Sequence, residues 1–319
     1  MSAPAPHWAN VGENTCVFGM LLLAWIHRWL GRVPFVLCLY PVVLVYWATG
    51  ALARRSSLEY LQRLQASHGS VGHTPGHWHS LRHFVSFADT LLDKMLAMGG
   101  RYPFDSVRIE GQAPLLQALA AGQGGVIVTG HVGCLELCQV LAERLPGLRM
   151  NILVHTAHAE RFNRLLKRLH PHSAVQLLQV SEVSAGTAVW LSERVERGEF
   201  VAIAGDRVPL GAGRTVEALF LGHAARFPVG PYVLSALLKC PLYFMGCVRE
   251  DAVHTLRFAR LAQQVVLPRA RREAALAEYA AGFVQQLELL LQQAPYDWFN
   301  FFPFWAQGRG DASLASRRF

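Results

Sequence analysis

Residues 124–138 read GGVIVTGHVGCLELC, an apolar run that breaks at a glycine and is followed at once by a histidine and, five residues later, a glutamate. Gly125 to Thr129 is short, β-branched and closed by Gly130, as expected of a strand buried on both faces. "GHVG" supplies a tight turn, and the apolar spacing of "CLELCQVLAERL" predicts a helix over Leu135 to Arg144. Within one helix, positions five apart diverge by about 140°. With His131 in the turn and Glu136 in the first helical turn, the two side chains can meet instead. The carboxylate would then accept a hydrogen bond from one imidazole nitrogen, while the other takes a proton from a hydroxyl. Gly130 and Gly133 let backbone approach a substrate, and free amides at the helix start would support an oxyanion. A histidine cap and a glutamate favoured by the helix dipole account for the same spacing without chemistry.

Outward from this stretch, short β-branched runs alternate with amphipathic segments. Strands are predicted at Gly125 to Thr129, Arg149 to His155, Val175 to Val180, Phe200 to Ala204, Thr215 to Leu221, Leu242 to Arg249 and Thr255 to Leu261. Helices are predicted at Pro114 to Ala121, Leu135 to Arg144, Glu160 to Leu169, Ser184 to Arg197, Gly230 to Leu238 and Arg271 to Gln293. The alternation predicts an α/β fold, with a mostly parallel or mixed central sheet flanked by helices. No glycine-rich loop of Walker or Rossmann spacing is present, which disfavours nucleotide-driven chemistry. No G-x-S-x-G motif is present either, which disfavours a serine hydrolase.

The 319 residues carry 30 Lys+Arg against 22 Asp+Glu, a net charge of +8, and only 16% of residues are charged. A basic, sparsely charged chain with positive mean hydropathy suits an enzyme working at an anionic bilayer surface. Cys134 and Cys138 form a C-x3-C pair with no second pair to match, so buried reduced thiols are expected rather than a metal site. A reducing, cytoplasmic setting for the catalytic body follows.

Residues 16–50 hold two apolar runs separated by His27, Arg28, Gly31 and Arg32. The second, Val33 to Thr49, is at the short limit of about 17 residues for a spanning helix and contains Pro34 and Pro41. Basic residues flank it on both sides, so charge asymmetry does not orient it. It is expected to be a retained membrane anchor that spans once or lies in one leaflet, with its Trp and Tyr residues near the headgroups; a buried helical hairpin is the alternative. Ser57 to Met98 is predicted helical around the polar connector HGSVGHTPGHWH, residues 68–79, which is expected to be a solvated loop rather than a metal site. The expected division is a membrane anchor region over 1–56, a helical connector over 57–106, a catalytic domain over 107–305 and a polar tail over 306–319.

"VTGHVGCLE" resembles the H-x4-D/E motif of the lysophospholipid acyltransferase superfamily, specifically the lipid A late acyltransferase branch of lauroyl and myristoyl transferases. "GEFVAIAGDRVPLGAGRTVEALFLGHAARFPVGPYVLSALLKCPLYF" follows the order of the family's second region, and "APYDWFNFFPFW" resembles its terminal tryptophan segment. The resemblance implies that His131 is the general base and Glu136 its partner. It implies that Asp206 positions the acceptor or braces the site, that Arg207 binds an anionic group, and that Phe220, Leu221 and Gly222 form a substrate-lining turn, though core packing explains these three equally well. Family members carry an Arg before the long helix where "QVSEVSAGT" has none, which points away from a phosphorylated glucosamine disaccharide as acceptor.

The implied activity is transfer of a fatty or polyene acyl group from an acyl carrier protein or CoA thioester to a hydroxyl or amine of a lipid or glycolipid. No metal or bound cofactor is needed, because the pantetheine arm arrives with the donor. The implied setting is the bacterial inner membrane, with the catalytic domain on the cytoplasmic side. In "HAERFNRLLKRLHPH", Arg161, Arg164, Lys167 and Arg168 form a basic face suited to an acidic carrier protein or lipid headgroups, or an ordinary solvated face. Nucleic acid is disfavoured, since no aromatic-interleaved basic platform is present. The rival readings are a non-catalytic lipid-binding or scaffold protein of the same fold, and a thioesterase or lipid hydrolase.

Overall fold

The computed structural model describes residues 25–26, 29–98, 102–138, 145, 147–154, 175–179, 185–208, 213–250 and 253–306. Three helices open the described chain, α1 (Arg32–Thr49), α2 (Ala51–His68) and α3 (His77–Met98). An alternating body follows, running β1 (Arg108–Glu110), α4 (Ala113–Ala120), β2 (Gly125–Thr129), β3 (Met150–Val154), β4 (Val175–Gln179), α5 (Ala185–Glu196) and β5 (Phe200–Ala204). It continues through β6 (Thr215–Phe220), β7 (His223–Pro228), α6 (Gly230–Leu238), β8 (Leu242–Glu250), β9 (Val253–Ala262) and α7 (Arg272–Gln293).

Seven strands form one mixed sheet in the order β1-β9-β8-β2-β5-β3-β4, while β6 and β7 pair as a separate antiparallel hairpin. Within the sheet only β8 and β9 run antiparallel. Strand β2 lies at its centre, parallel to β5 on one side and β8 on the other, and all five of its residues are buried. That is why GVIVT is an unbroken apolar run rather than an alternating one.

Helix α7 covers one face, burying Leu276, Ala280, Phe283, Leu287 and Leu291 at three- and four-residue spacing. The other face buries Ile127, Phe200, Ala202, Tyr243 and Met245 with Cys134, Leu137 and Cys138. Prolines in the first turns of α4 and α6 stand where a missing amide costs nothing. Two strands escaped sequence reading. Strand β1 has three residues, too few for a period, and β7 (HAARFP) opens with residues of low strand preference. The helix expected over Leu135 to Arg144 is, in its described part, one 3-10 turn at Leu135–Cys138.

Helix α1 presents two surfaces. Phe35, Leu39 and Val43, four residues apart, pack on Phe84, Ala88 and Leu92 of α3, while Leu37, Leu44, Val45 and Tyr46 are at least half exposed. Arg54 caps the end of α1 by donating to the carbonyls of Trp47 and Ala48 and lies over the Trp47 ring. No single described helix is long and apolar enough to cross a membrane. One pair bent by 92°, Leu37–Thr49 with Ala51–His68, meets the requirement by length and composition together.

A buried histidine ties these helices to the α/β body. Nε2 of His83 donates to the Trp298 carbonyl at 2.9 Å, so its neutral Nδ1 accepts from the Ser57 hydroxyl at 3.0 Å. Burial, only partly offset by the carbonyl bond, lowers its pKa to about 4. An unfolded His titrates near 6.5, so the unfolded state takes up this proton first as pH falls. Stability from this group is therefore complete above about pH 6.5 and is lost as pH drops through 4, a change of roughly 3 kcal/mol. Urea unfolding at pH 7 and pH 4 is expected to show that loss in the parent protein and a smaller one in His83→Gln.

Candidate active site

The register of the central strands builds the site. Strands β2 and β5 are paired in parallel with Thr129 opposite Ala204, and each then runs through a glycine to an ionisable residue. His131 and Asp206, each two residues past its paired strand end, emerge side by side at the carboxyl edge of the sheet, where open α/β sheets place their ligands. The Gly205 amide donates to the Thr129 carbonyl at 2.7 Å and carries the ladder one residue further.

Asp206 binds the histidine twice. Its Oδ1 accepts from Nδ1 at 2.8 Å, and its Oδ2 accepts the His131 backbone amide, also at 2.8 Å. The Trp298 indole donates to the same Oδ2 at 3.1 Å. The carboxylate side chain is only 1% exposed and the imidazole 39%. Burial alone would raise the Asp206 pKa, but the imidazole, Arg207 and the His131 amide outweigh it and hold the group at about 2. It is therefore a carboxylate at every working pH, and it fixes the tautomer with the proton on Nδ1 and a lone pair on Nε2.

This corrects the expected pairing, since the carboxylate on the imidazole is Asp206. Glu136 turns to Lys94 of α3, with Oε1 3.0 Å from Nζ, and its Oε2 accepts the Cys134 thiol at 3.7 Å. The physical reason is the short 3-10 turn, which directs Glu136 toward α3 while parallel strand pairing delivers Asp206 to His131 from 75 residues away. Burial would lower the Lys94 pKa, but the charge and hydrogen bond of Glu136, with Cys134 beside them, together raise it.

Two amides of the turn that precedes the 3-10 helix are committed. The His131 amide is held by Asp206, and the Gly133 amide donates to the Asp297 carbonyl at 2.8 Å. Gly133 does line the site, but its missing side chain answers to the protein. A Cβ there would lie 2.0 Å from the Cys247 carbonyl oxygen, with φ at +55°. At Gly130 an added Cβ would meet Asp206 Oδ2 at 3.4 Å, an ordinary contact.

His131, Glu136, Lys94 and Arg207 face a cavity of about 300 Å3 whose other walls include Leu135, Cys138, Ile152, Ala202 and Met245. It is an apolar recess with its charges gathered on one side. Arg207 lies over the Phe302 ring and donates to the Phe299 carbonyl. Burial pushes the Cys138 thiol up to about 12, so it is a wall and not a nucleophile.

Phe220 is not on this wall. It is wholly buried among Trp298, Phe227, Phe304 and Trp305, and Leu221 and Gly222 form the hairpin turn, with φ at +51° and +75°. Arg161, Arg164, Lys167 and Arg168 lie outside the described residues. Sequence reading missed Lys94 and Trp298. Lys94 had no signal beyond its place on an amphipathic helix, and Trp298 stood in the quoted terminal segment without a role.

A histidine held by a buried aspartate at the carboxyl edge of a mixed sheet, and facing an apolar recess, is an arrangement suited to group transfer. The profile of the bacterial lipid A biosynthesis acyltransferase family matches residues 88–307, about two thirds of the chain, and the protein belongs to that family of acyltransferases. The match begins within α3, so it includes Lys94 together with His131, Glu136, Asp206 and Trp298. No curated protein matches the chain.

Proposed function

We propose that this acyltransferase moves a fatty or polyene acyl group from an acyl carrier protein thioester, or its CoA equivalent, to a hydroxyl or amine of a lipid or glycolipid at the bacterial inner membrane. The observation that carries this reading is the half-exposed imidazole whose Nδ1 is held by a buried carboxylate while the ring faces an apolar recess. In this reading His131 Nε2 takes the proton of the acceptor, whose oxygen or nitrogen attacks the thioester carbonyl. Asp206 keeps the ring oriented and stabilises the imidazolium. Lys94 and Arg207 supply the positive charge that the tetrahedral oxyanion needs, and Glu136 accepts a hydrogen bond from the acceptor. Collapse breaks the C–S bond, and the imidazolium returns its proton to the leaving thiolate.

The apolar wall takes the acyl chain. Ala202 and Ala204 stand on the β5 face of the recess, with wholly buried Phe200 two residues before Ala202 on the same face. Ala202→Leu is expected to lower turnover of the longest usable donors by about tenfold and to spare shorter ones, read by competition between donors of different length. The exposed apolar residues of α1 support its lying in one leaflet.

The test is incubation in detergent with labelled acyl carrier protein thioester, or acyl-CoA in a parallel arm, and a membrane lipid extract. Acyl-lipid that depends on His131 supports transfer, whereas free fatty acid alone supports hydrolysis. No product from any donor length counts against catalysis.

A further inference from the structure

We propose that Trp298 is a positioning residue for acyl transfer, setting the rotation of the Asp206 carboxylate so that Oδ1 alone faces the His131 ring. The inference rests on the proposed role of His131 as base.

Asp206 receives three donors in an unequal division. The His131 amide at 2.8 Å and the Trp298 indole at 3.1 Å both take Oδ2, which leaves Oδ1 to His131 Nδ1. A carboxylate held at one oxygen by a single amide can turn about its Cβ–Cγ bond, and two donors from different directions prevent that. The indole suits the task because it is donor only and does not titrate. The titratable and charged groups about the Asp206–His131 couple are Arg207 and, lining the same recess as the ring, Lys94 and Glu136; those about the tryptophan are Tyr60, His83 and Asp297.

The backbone around Trp298 is fixed as firmly as its side chain. Residues 297–299 form an antiparallel bridge to the catalytic turn, with Val132 opposite Trp298, the Gly133 amide donating to the Asp297 carbonyl and the Phe299 amide donating to the His131 carbonyl at 3.1 Å. Asp297 in turn accepts the Arg249 amide and the Ser86 hydroxyl, at 2.7 and 2.9 Å. The indole, 1% exposed, sits among Tyr60, Phe220 and Phe304 with ring centroids 5.0 to 5.1 Å away. Every element that touches Trp298 therefore holds the donor against Oδ2. A core tryptophan needs none of this alignment to fill its volume.

The test replaces Trp298 with benzothienylalanine, which keeps the bicyclic shape and lacks the N–H, and also with phenylalanine. The isostere is expected to lower kcat about tenfold, the size of effect of one hydrogen bond to a charged group, with KM unchanged. Removing a donor from the carboxylate strengthens its hold on the imidazolium, so the acid limb of the kcat–pH profile is expected to move to higher pH. Phe227→Leu, which loosens the adjoining aromatic cluster through Phe220, Phe283 and Phe304 without touching Trp298 or Asp206, is expected to lower the unfolding midpoint and keep kcat. Full kcat in the isostere, or a change confined to KM, would overturn the proposal. His131→Ala is run alongside. If it keeps activity, the reading of His131 as base fails, whereas loss there with full kcat in the isostere defeats only the role of Trp298.

Discussion

Asp206→Asn is expected to lower acyl transfer by about 10²- to 10⁴-fold while leaving the protein folded. The division of hydrogen bonds around the carboxylate dictates this result. Oδ2 faces two donors, the His131 amide and the Trp298 indole, so the asparagine carbonyl oxygen must take that side. Its NH2 group is then turned to His131 Nδ1, which becomes the acceptor, and the ring proton moves to Nε2. The nitrogen that should receive the acceptor's proton already carries one. Every contact at position 206 is satisfied, so stability changes little and the loss falls on kcat. His131→Ala is expected to cost a similar factor, and the double variant no more than the larger single loss, because the two residues act as a unit. Glu136→Gln is expected to be milder, about tenfold, because its carboxylate is bonded to Lys94 and stands one step from the imidazole. Steady-state rates of the four proteins with one donor and one acceptor decide the matter, and a Glu136→Gln loss equal to that of Asp206→Asn would restore Glu136 as the partner.

Gly133→Ala is expected to destabilise the protein by about 3 to 5 kcal/mol, at the severe end for a single substitution. Two costs add at this position. The backbone lies at φ +55°, where a Cβ is strained, and that Cβ would stand 2.0 Å from the Cys247 carbonyl oxygen, a main-chain atom of β8 that no rotamer change can move. Relief requires the turn to lift from β8, which would break the Gly133–Asp297 hydrogen bond and displace His131. Thermal unfolding is expected to drop by about 10 °C, and the protein that remains folded is expected to transfer poorly. Gly130→Ala is the contrast. Its Cβ meets Asp206 at van der Waals distance, and unfolding is expected to change by less than about 1 kcal/mol. A Gly133→Ala protein of parental stability would show that the turn is looser than its contacts indicate.

How much of this was legible in the sequence depends on how local each feature is. Strand β2 is declared by its own five residues, because a strand buried on both faces must be apolar throughout. The same holds for α7, whose buried positions recur at helical spacing. His131 and Asp206 were each readable as an ionisable group after an apolar strand. Their union was not readable, because strand order is decided by how helices and strands pack and not by either segment alone. Glu136 was preferred as the partner since it is near in the chain, and the length of one 3-10 turn reversed that preference. Trp298 lay furthest from reading. A tryptophan in an aromatic-rich segment carries the signal of a core residue, and only the bridge to Val132 reveals that its N–H faces a carboxylate.

That bridge also bears on how the enzyme comes into being. Strands β2 and β5 leave the ribosome early, so His131 and Asp206 are available while more than a hundred residues of the chain are still to be made. The residues that clamp them, 297–300, come after α7 in translation order. A nascent chain halted before that point holds the reactive pair without its clasp. Completion of the clasp is thus scheduled late in synthesis, long after α1 has left the ribosome.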